Sequence, residues 1–232
     1  MNWMMKLHSL KGNRIAILTC LLLGAVACKE PVKNDSRVAQ LPYYDNPSFT
    51  PQWLADDAAA LESFHAIPTF NLVNQDGQAI TEGSFTNKIY VADFFFTSCP
   101  GICPKMTDNM ALLQEAFKDD DELLLISHSV TPNRDSVPEL KKYAIAKGVS
   151  SDKWHLVTGD RAQIYDLGRN YYFVEEDLGI EKEAEDFLHT ENFVLIDKNR
   201  HIRGIYNGLN KTAIQQLISD IHTLKQESAE TL

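Results

Sequence analysis

The chain has 232 residues and carries 22 Lys and Arg against 32 Asp and Glu, a formal net charge of −10 at pH 7. This acidic balance argues against nucleic acid and against a bare anionic membrane surface as partners, because both are negatively charged. The length suffices for one domain with a proper hydrophobic core after a leader and a tether are set aside.

The first 28 residues have the organisation of an export signal. Three basic residues precede an apolar run at positions 15–27, which is shorter than the roughly 20 residues that span a bilayer. The small residues before Cys28 resemble the lipobox of bacterial lipoproteins, although Ala25 stands where leucine is usual. We therefore predict a signal peptide over residues 1–27, lipidation of Cys28, and a membrane-anchored protein of the bacterial cell envelope with its domain in the periplasm. An uncleaved membrane anchor is the weaker alternative.

The remaining chain divides into a tether and one domain. Residues 28–62 mix Pro, Asn, Asp and Ser with little periodicity, which is typical of a tether and an N-terminal extension. The aromatic residues within this segment are numerous enough to pack on the domain. Residues 63–232 are predicted to form that domain.

The order of the predicted elements indicates the fold class. The patterns predict a hairpin at 67–81, a buried strand at 88–96 and a helix at 104–117. They then predict a strand at 123–130, a helix at 138–147 with Gly148 as C-cap, a strand at 154–157, a helix at 161–169, a strand at 171–174, an acidic loop at 175–186, paired strands at 193–196 and 202–206, and a closing helix at 211–225. Strands that alternate with helices indicate an α/β fold with a mixed central sheet and helices on both faces.

Two cysteines lie where the central strand passes into the following helix. Pro100 and Gly101 between Cys99 and Cys103 indicate an exposed, tight turn. Backbone N–H groups and the helix dipole stabilise a thiolate at such a place, which makes it a nucleophile or a soft-metal ligand. The spacing allows either a disulfide or a shared metal ion, and thiolates select Cu(I), with zinc as a borderline case.

Two cysteines seldom complete a metal site, so a histidine is the first candidate for a third ligand. His128 ends the predicted strand at 123–130, where it can approach the cysteine turn or serve as a core histidine. His189 follows the acidic loop and stands just before the strand at 193–196. It is therefore a candidate ligand at a sheet end, on a segment that can move.

Four motifs, in their order and spacing, resemble the Sco/SenC family. They are the segments 97–104, 129–135, 154–159 and 189–197, the first of which reads TSCPGICP. The resemblance covers roughly residues 64–225 and implies a thioredoxin-like fold. It also implies one copper ion per domain, Cu(I) or Cu(II), bound by Cys99, Cys103 and His189. The family is membrane-tethered, and it delivers copper to, or reduces the cysteines of, the binuclear copper site in cytochrome c oxidase subunit II.

Two departures bear on the chemistry. The family usually has aspartate at the position of Thr131, so any role of that carboxylate is missing here. Thioredoxins have a cis-proline just before the strand that corresponds to 192–196, whereas this chain has no proline from His189 to Asn192. A coordinating side chain fits there better than a peptide-gripping loop, which favours metal binding.

Asp93 is the residue that favours thiol–disulfide chemistry over metal binding. It lies on the central strand upstream of Cys99, where redox-active thioredoxins place a buried acid that accepts a proton during dithiol exchange. Burial raises the pKa of such a carboxyl group toward a useful range. The alternative is an aspartate at a strand edge that backbone groups or a lysine satisfy.

Two functions from different classes follow. The first is a copper metallochaperone for cytochrome c oxidase subunit II or another copper or thiol protein. The second is an enzyme, a thiol–disulfide oxidoreductase in which Cys99 attacks and Cys103 resolves, acting on that copper site or another extracytoplasmic protein. A redox or copper sensor is a third, weaker interpretation.

Overall fold

A seven-stranded mixed sheet runs through the computed structural model, which describes residues 36–54, 61–174, 188 and 190–230. The strands are β1 (Asn71–Asn74), β2 (Ala79–Thr81), β3 (Ile89–Phe95), β4 (Leu123–Ser129), β5 (Trp154–Thr158), β6 (Asn192–Ile196) and β7 (Ile202–Asn207). Their order across the sheet is β2-β1-β5-β4-β3-β6-β7. The predicted N-terminal hairpin is confirmed, because β1 and β2 pair antiparallel.

The three central strands β5, β4 and β3 point the same way, their neighbours β1 and β6 oppose them, and the edge strands β2 and β7 run in the same direction as the centre. Strand β4 pairs parallel with both β3 and β5, whereas β6 pairs antiparallel with β3. Every residue of β3 is buried, which explains its nearly continuous apolar sequence. Because β6 opposes β3, the chain enters β6 at the same edge where β3 and β4 end.

Helices cover both faces of the sheet. The α-helices are α1 (Cys103–Ala116), α2 (Val137–Lys147), α3 (Arg161–Asp166) and α4 (Lys211–Glu230), and a short 3-10 helix spans Glu82–Phe85. Side chains of α1, α2 and α4 form one apolar core with one face of the sheet. Side chains of α3 and the segment after it form a second core on the other face. The prediction of a mixed sheet between two helical layers is confirmed.

The buried face of α1 and the end of α2 both follow local sequence signals. In α1, Met106, Met110 and Leu113 are fully buried on the face that the sequence predicted. Helix α2 ends at Gly148, whose φ of 69° is left-handed, and its N–H bonds to the carbonyl of Ile145. The predicted C-cap is therefore confirmed.

The predicted strand at 171–174 is wrong. Helix α3 continues as a π-helical turn over Leu167–Tyr171, and the chain then runs irregularly through Tyr172 to Val174. Those three side chains are all buried in the second core. A short aromatic and apolar run satisfies burial equally well as a strand or as an irregular segment, so its local pattern misleads.

Several predicted segments lie outside the described residues. They are the signal peptide at 1–27, Cys28 with the start of the tether, and the acidic loop at 175–186. Within the described ranges, no helix has both the length and the apolar composition that a membrane crossing requires.

The N-terminal extension packs on the outer edge of the sheet. Tyr44 forms a β-bridge with Ile202 of β7, and Ser36 donates a hydrogen bond to Asp220 of α4. Backbone carbonyls of Leu41 and Pro42 accept hydrogen bonds from the buried guanidinium of Arg203. The extension thereby covers part of the edge of β7, which would otherwise be open to pairing with another chain.

Candidate metal and thiol site

The cysteines lie in the turn that leaves β3 and at the first position of α1. The N–H of Cys99 donates to the carbonyl of Phe96 at 3.3 Å, and Cys103 opens α1, followed by Pro104 in the first turn. Cys99 is partly exposed, whereas Cys103 is buried against the core that α1 forms with the sheet. The local fold therefore presents one accessible and one sheltered sulfur.

The two thiols differ in their electrostatics. Burial of Cys99 works to raise its pKa, but hydrogen bonds from the Cys103 thiol and from the backbone N–H groups of residues 101–103 outweigh it and bring the pKa below its ordinary value. For Cys103, burial and its hydrogen bond to Cys99 raise the pKa to about 12. The start of the helix therefore favours a thiolate at Cys99 and a protonated thiol at Cys103.

A buried carboxylate, Asp135, ties the cysteine turn to the end of β4. It accepts hydrogen bonds from Thr97 through the hydroxyl at 2.6 Å and the backbone N–H at 3.2 Å. It also accepts from the hydroxyls of Ser129 at 2.6 Å and Thr131 at 3.0 Å. Our sequence reasoning did not single out Asp135, although the motif 129–135 contained it. Thr131, which replaces the usual aspartate of the family, is therefore a hydrogen-bond donor to this neighbouring carboxylate.

Asp93 lies on the face of β3 that packs against α1. It alternates with Val91 and Phe95, which share a core with Cys103, and it is 1% exposed. Desolvation raises its pKa to about 7, opposed only by a hydrogen bond from Ser127. The Ser127 hydroxyl in turn accepts from the Trp154 indole at 2.8 Å. The Oδ1 atom of Asp93 has no hydrogen-bond partner among the described residues.

His128 belongs to the opposite face of the sheet. Its ring stacks on Phe94 with centroids 4.7 Å apart and contacts Tyr172 at 5.4 Å. Complete burial lowers its pKa to about 4. His128 is therefore a neutral core histidine, and the structure does not bring it to the cysteines.

The raised pKa of Asp93 predicts an unusual dependence of stability on pH. The folded protein holds this proton more tightly than the unfolded chain, because its pKa is about 7 when folded and 3.8 ordinarily. Stability from this group is therefore present at low pH and falls as pH rises through 7. We expect wild type to lose about 2 to 3 kcal/mol between pH 5 and pH 7.5 relative to Asp93→Asn, which does not titrate. Urea unfolding at the two pH values measures this difference.

A control for that experiment is Asp108→Asn. Asp108 is an exposed carboxylate on α1, so its replacement should leave the pH dependence of wild type unchanged. Contributions from His128 are common to both proteins and cancel in the comparison. Parallel stability profiles for wild type and Asp93→Asn would contradict the raised pKa.

His189 lies outside the described residues, but the residues on either side of it are described. The side chain of Leu188 is buried in the second core, and the Thr190 hydroxyl accepts from the N–H of Asn192, where β6 begins. The register of β6 against β3 places Asn192 at the edge where β3 ends. Within the described part of the chain, no three His, Cys, Asp or Glu side chains lie together as a metal-binding group.

Comparison with known proteins identifies the family. The family model described as SCO1/SenC matches residues 58–226, which is well over half of the chain. The chain belongs to the SCO1/SenC family. Among its SCO1/SenC relatives, the SCO1 homolog of Bacillus subtilis is 32% identical over 171 residues, covering 72% of this chain and 84% of the relative.

Solved SCO1/SenC structures confirm the thioredoxin-like fold. A SCO1/SenC family lipoprotein from Bacillus anthracis is 31% identical with a TM-score of 0.61, over 69% of this chain and 95% of that one. BsSco is 31% identical with a TM-score of 0.58, over 69% of this chain and 93% of that one. It is described as having a disulfide switch and as a member of the Sco family of cytochrome c oxidase assembly proteins. ScoI of Bradyrhizobium japonicum, solved with copper bound, shares the fold. It is 23% identical with a TM-score of 0.53, over 70% of this chain and 98% of that one.

Proposed function

We propose that this protein is a membrane-tethered copper metallochaperone, which delivers copper to the binuclear site of cytochrome c oxidase subunit II. The observation that carries the proposal is the pair of free thiols, Cys99 partly exposed just before α1 and Cys103 buried at its first position, in a chain of the SCO1/SenC family. Two sulfur donors suit copper, because soft thiolates select Cu(I). The copper-bound ScoI and the oxidase-assembly role of the Sco family named with BsSco point the same way.

In this proposal His189 completes the site as the third ligand. The described residues next to it enter β6 at the same edge of the sheet where the cysteine turn leaves β3. An imidazole nitrogen suits copper as well as the two sulfurs do. Copper binding displaces the thiol protons, so affinity should fall as pH drops. The sheltered Cys103, with its raised pKa, holds its proton more tightly, so copper must displace that proton at neutral pH.

The tether is the second part of the proposal. Lipidation of Cys28 after cleavage of residues 1–27 anchors the domain in the periplasm, and the related Bacillus anthracis protein is itself described as a lipoprotein. Fractionation of cells that express the full chain or its Cys28→Ala variant tests the anchor. The wild-type protein should sediment with membranes and incorporate labelled fatty acid, whereas the variant should incorporate none; equal incorporation by both would contradict lipidation at Cys28.

A second function is favoured by one observation, the unequal thiols. An accessible Cys99 with a lowered pKa and a buried Cys103 with a raised pKa suit a thiol–disulfide oxidoreductase, in which Cys99 attacks and Cys103 resolves. Asp93, buried on the same face as Cys103, is the proton acceptor in this alternative. The substrate is then the oxidised cysteine pair of the copper site or of another extracytoplasmic protein.

A transfer experiment separates the two functions. The Cu(I)-loaded domain is mixed with the reduced, metal-free copper domain of subunit II, and copper is measured in each protein after separation. A chaperone should transfer its copper to the partner, and the domain with both cysteines replaced by serine should transfer none. In a parallel reaction, the metal-free reduced domain is mixed with the oxidised partner. If the partner is reduced quickly in the second reaction and receives no copper in the first, the result supports the oxidoreductase and overturns the chaperone.

A further inference from the structure

The carboxylate of Asp135 is a buried junction beside the cysteine turn. Asp135 is 0% exposed and accepts four hydrogen bonds, all from Thr97, Ser129 and Thr131. No Lys, Arg or His among the described residues is paired with it in an ion pair. Hydrogen bonds to a charged acceptor are about twice as strong as neutral ones, so this set holds its donors firmly.

The donors belong to separate parts of the chain. Thr97 belongs to the cysteine turn, two positions before Cys99, whereas Ser129 ends β4 and Thr131 lies in the next loop. Asp135 itself directly precedes Ser136, the N-cap of α2. Only the two bonds from Thr97 reach the segment that carries the cysteines. The bond from Ser129 fixes the carboxylate to the end of β4, and the bond from Thr131 comes from the loop that follows.

We propose that Asp135 is a positioning residue for the cysteine pair. By holding Thr97, its carboxylate fixes the start of the turn and so keeps the Cys99 sulfur within reach of the Cys103 sulfur. The inference rests on the proposed function only in that the fixed sulfurs are the copper donors. A pre-positioned pair binds a shared ion, or closes a disulfide, with less ordering cost than a loose pair.

The test compares two threonines that donate to the same carboxylate. Thr97→Val deletes the hydroxyl bond that reaches the cysteine turn, and Thr131→Val deletes a hydroxyl bond that does not. Thr97→Ser keeps the hydroxyl and serves as the rescue variant. Circular dichroism and urea unfolding of each reduced domain establish that the variants fold and how far each loses stability.

Two equilibrium constants are then measured for each folded variant. The first is the Cu(I) affinity of the reduced domain against a chelator. The second is the exchange of the protein dithiol with glutathione disulfide, which yields the protein disulfide and two glutathione thiols. We expect Thr97→Val to lower both constants about tenfold. This is the lower end of the loss in affinity that follows removal of a residue that orients a metal ligand. For the two-electron exchange, a tenfold change corresponds to about 30 mV.

The controls decide between positioning and mere stability. Thr131→Val and Thr97→Ser should leave both constants within about twofold of wild type, the margin expected when two effects are independent, even if Thr131→Val unfolds as easily as Thr97→Val. Equal changes in both valine variants, or no change in either, would overturn the positioning role. A wild-type domain that fails to bind Cu(I), but whose glutathione equilibrium shifts in Thr97→Val alone, would contradict the copper function and leave the positioning role standing.

If Thr97→Val does not fold, Asp135→Asn provides the second variant. The amide keeps the shape of the carboxylate and one acceptor oxygen but loses the charge that strengthens the bonds. Both constants should then fall by a smaller factor than the tenfold expected above. Wild-type values in a folded Asp135→Asn domain would contradict the requirement for the charged acceptor.

Discussion

Replacing either cysteine with serine is expected to lower Cu(I) affinity by well over about 100-fold, because loss of an outer-shell partner alone costs 10- to 100-fold and here a donor atom is lost. Serine removes the soft sulfur but keeps nearly the same shape, so the fold should persist. Cys99 and Cys103 should both show the effect, although one is partly exposed and the other buried. Competition titration of the reduced domain with a Cu(I) chelator measures it.

The same titration tests His189 with a matched histidine. His189→Ala should also lower the affinity by more than about 100-fold if its imidazole is a direct ligand. His222→Ala is the control, since His222 is exposed on α4. Its ring packs against Phe117, with the ring centroids 5.1 Å apart. The control should bind as wild type does. Wild-type affinity in His189→Ala would remove His189 from the site and leave a two-sulfur donor set.

Arg203→Met is expected to destabilise the protein by about 3 to 5 kcal/mol, the cost of removing one partner from a buried ion pair. The guanidinium is 4% exposed and bonds to Glu227 at 2.6 Å and to Asp197 at 3.4 Å. It also lies 3.9 Å over the Tyr43 ring. Methionine fills the space but removes the guanidinium charge from beside two largely buried carboxylates. Urea unfolding at neutral pH measures the loss.

The control for Arg203 is an exposed ion pair. Lys147→Met removes the cation from Asp108, whose side chain is 68% exposed, and should cost at most about 1 kcal/mol. Arg203 also holds the carbonyls of the N-terminal extension, so limited proteolysis should cut residues 36–44 faster in Arg203→Met alone. Equal stability losses in the two variants would mean that the buried pair contributes no more than a surface one.

Local patterns were sufficient for most of the elements. The apolar run of β3 and the helical face of Met106, Met110 and Leu113 predicted their own burial, because hydrophobic periodicity reports which side faces the core. Gly148 predicted the end of α2, since a left-handed residue is needed there and glycine adopts it without a steric penalty. The prediction of a strand after α3 was wrong because the aromatic residues of that segment are buried in an irregular conformation.

Long-range polar contacts were beyond the reach of sequence patterns. Asp135 lies far from Thr97 in the chain, yet its carboxylate bonds to that hydroxyl at 2.6 Å. Arg203 likewise meets Glu227 and the backbone of Leu41 only after folding brings the N-terminal extension and α4 to β7. No local periodicity encodes such pairs, because each depends on which strands become neighbours.

The sequence by itself determined the two cysteines, their strand–turn–helix setting and the α/β class, since these follow from local propensity and motif spacing. It also named His189 through the family resemblance, and that assignment stays a prediction. Only the tertiary structure decided that Cys99 is accessible and Cys103 sheltered, that Asp93 is buried with a raised pKa, and that His128 faces the opposite core. The physical reason is that burial and pKa depend on what packs against a side chain, and packing is a property of the assembled sheet and helices.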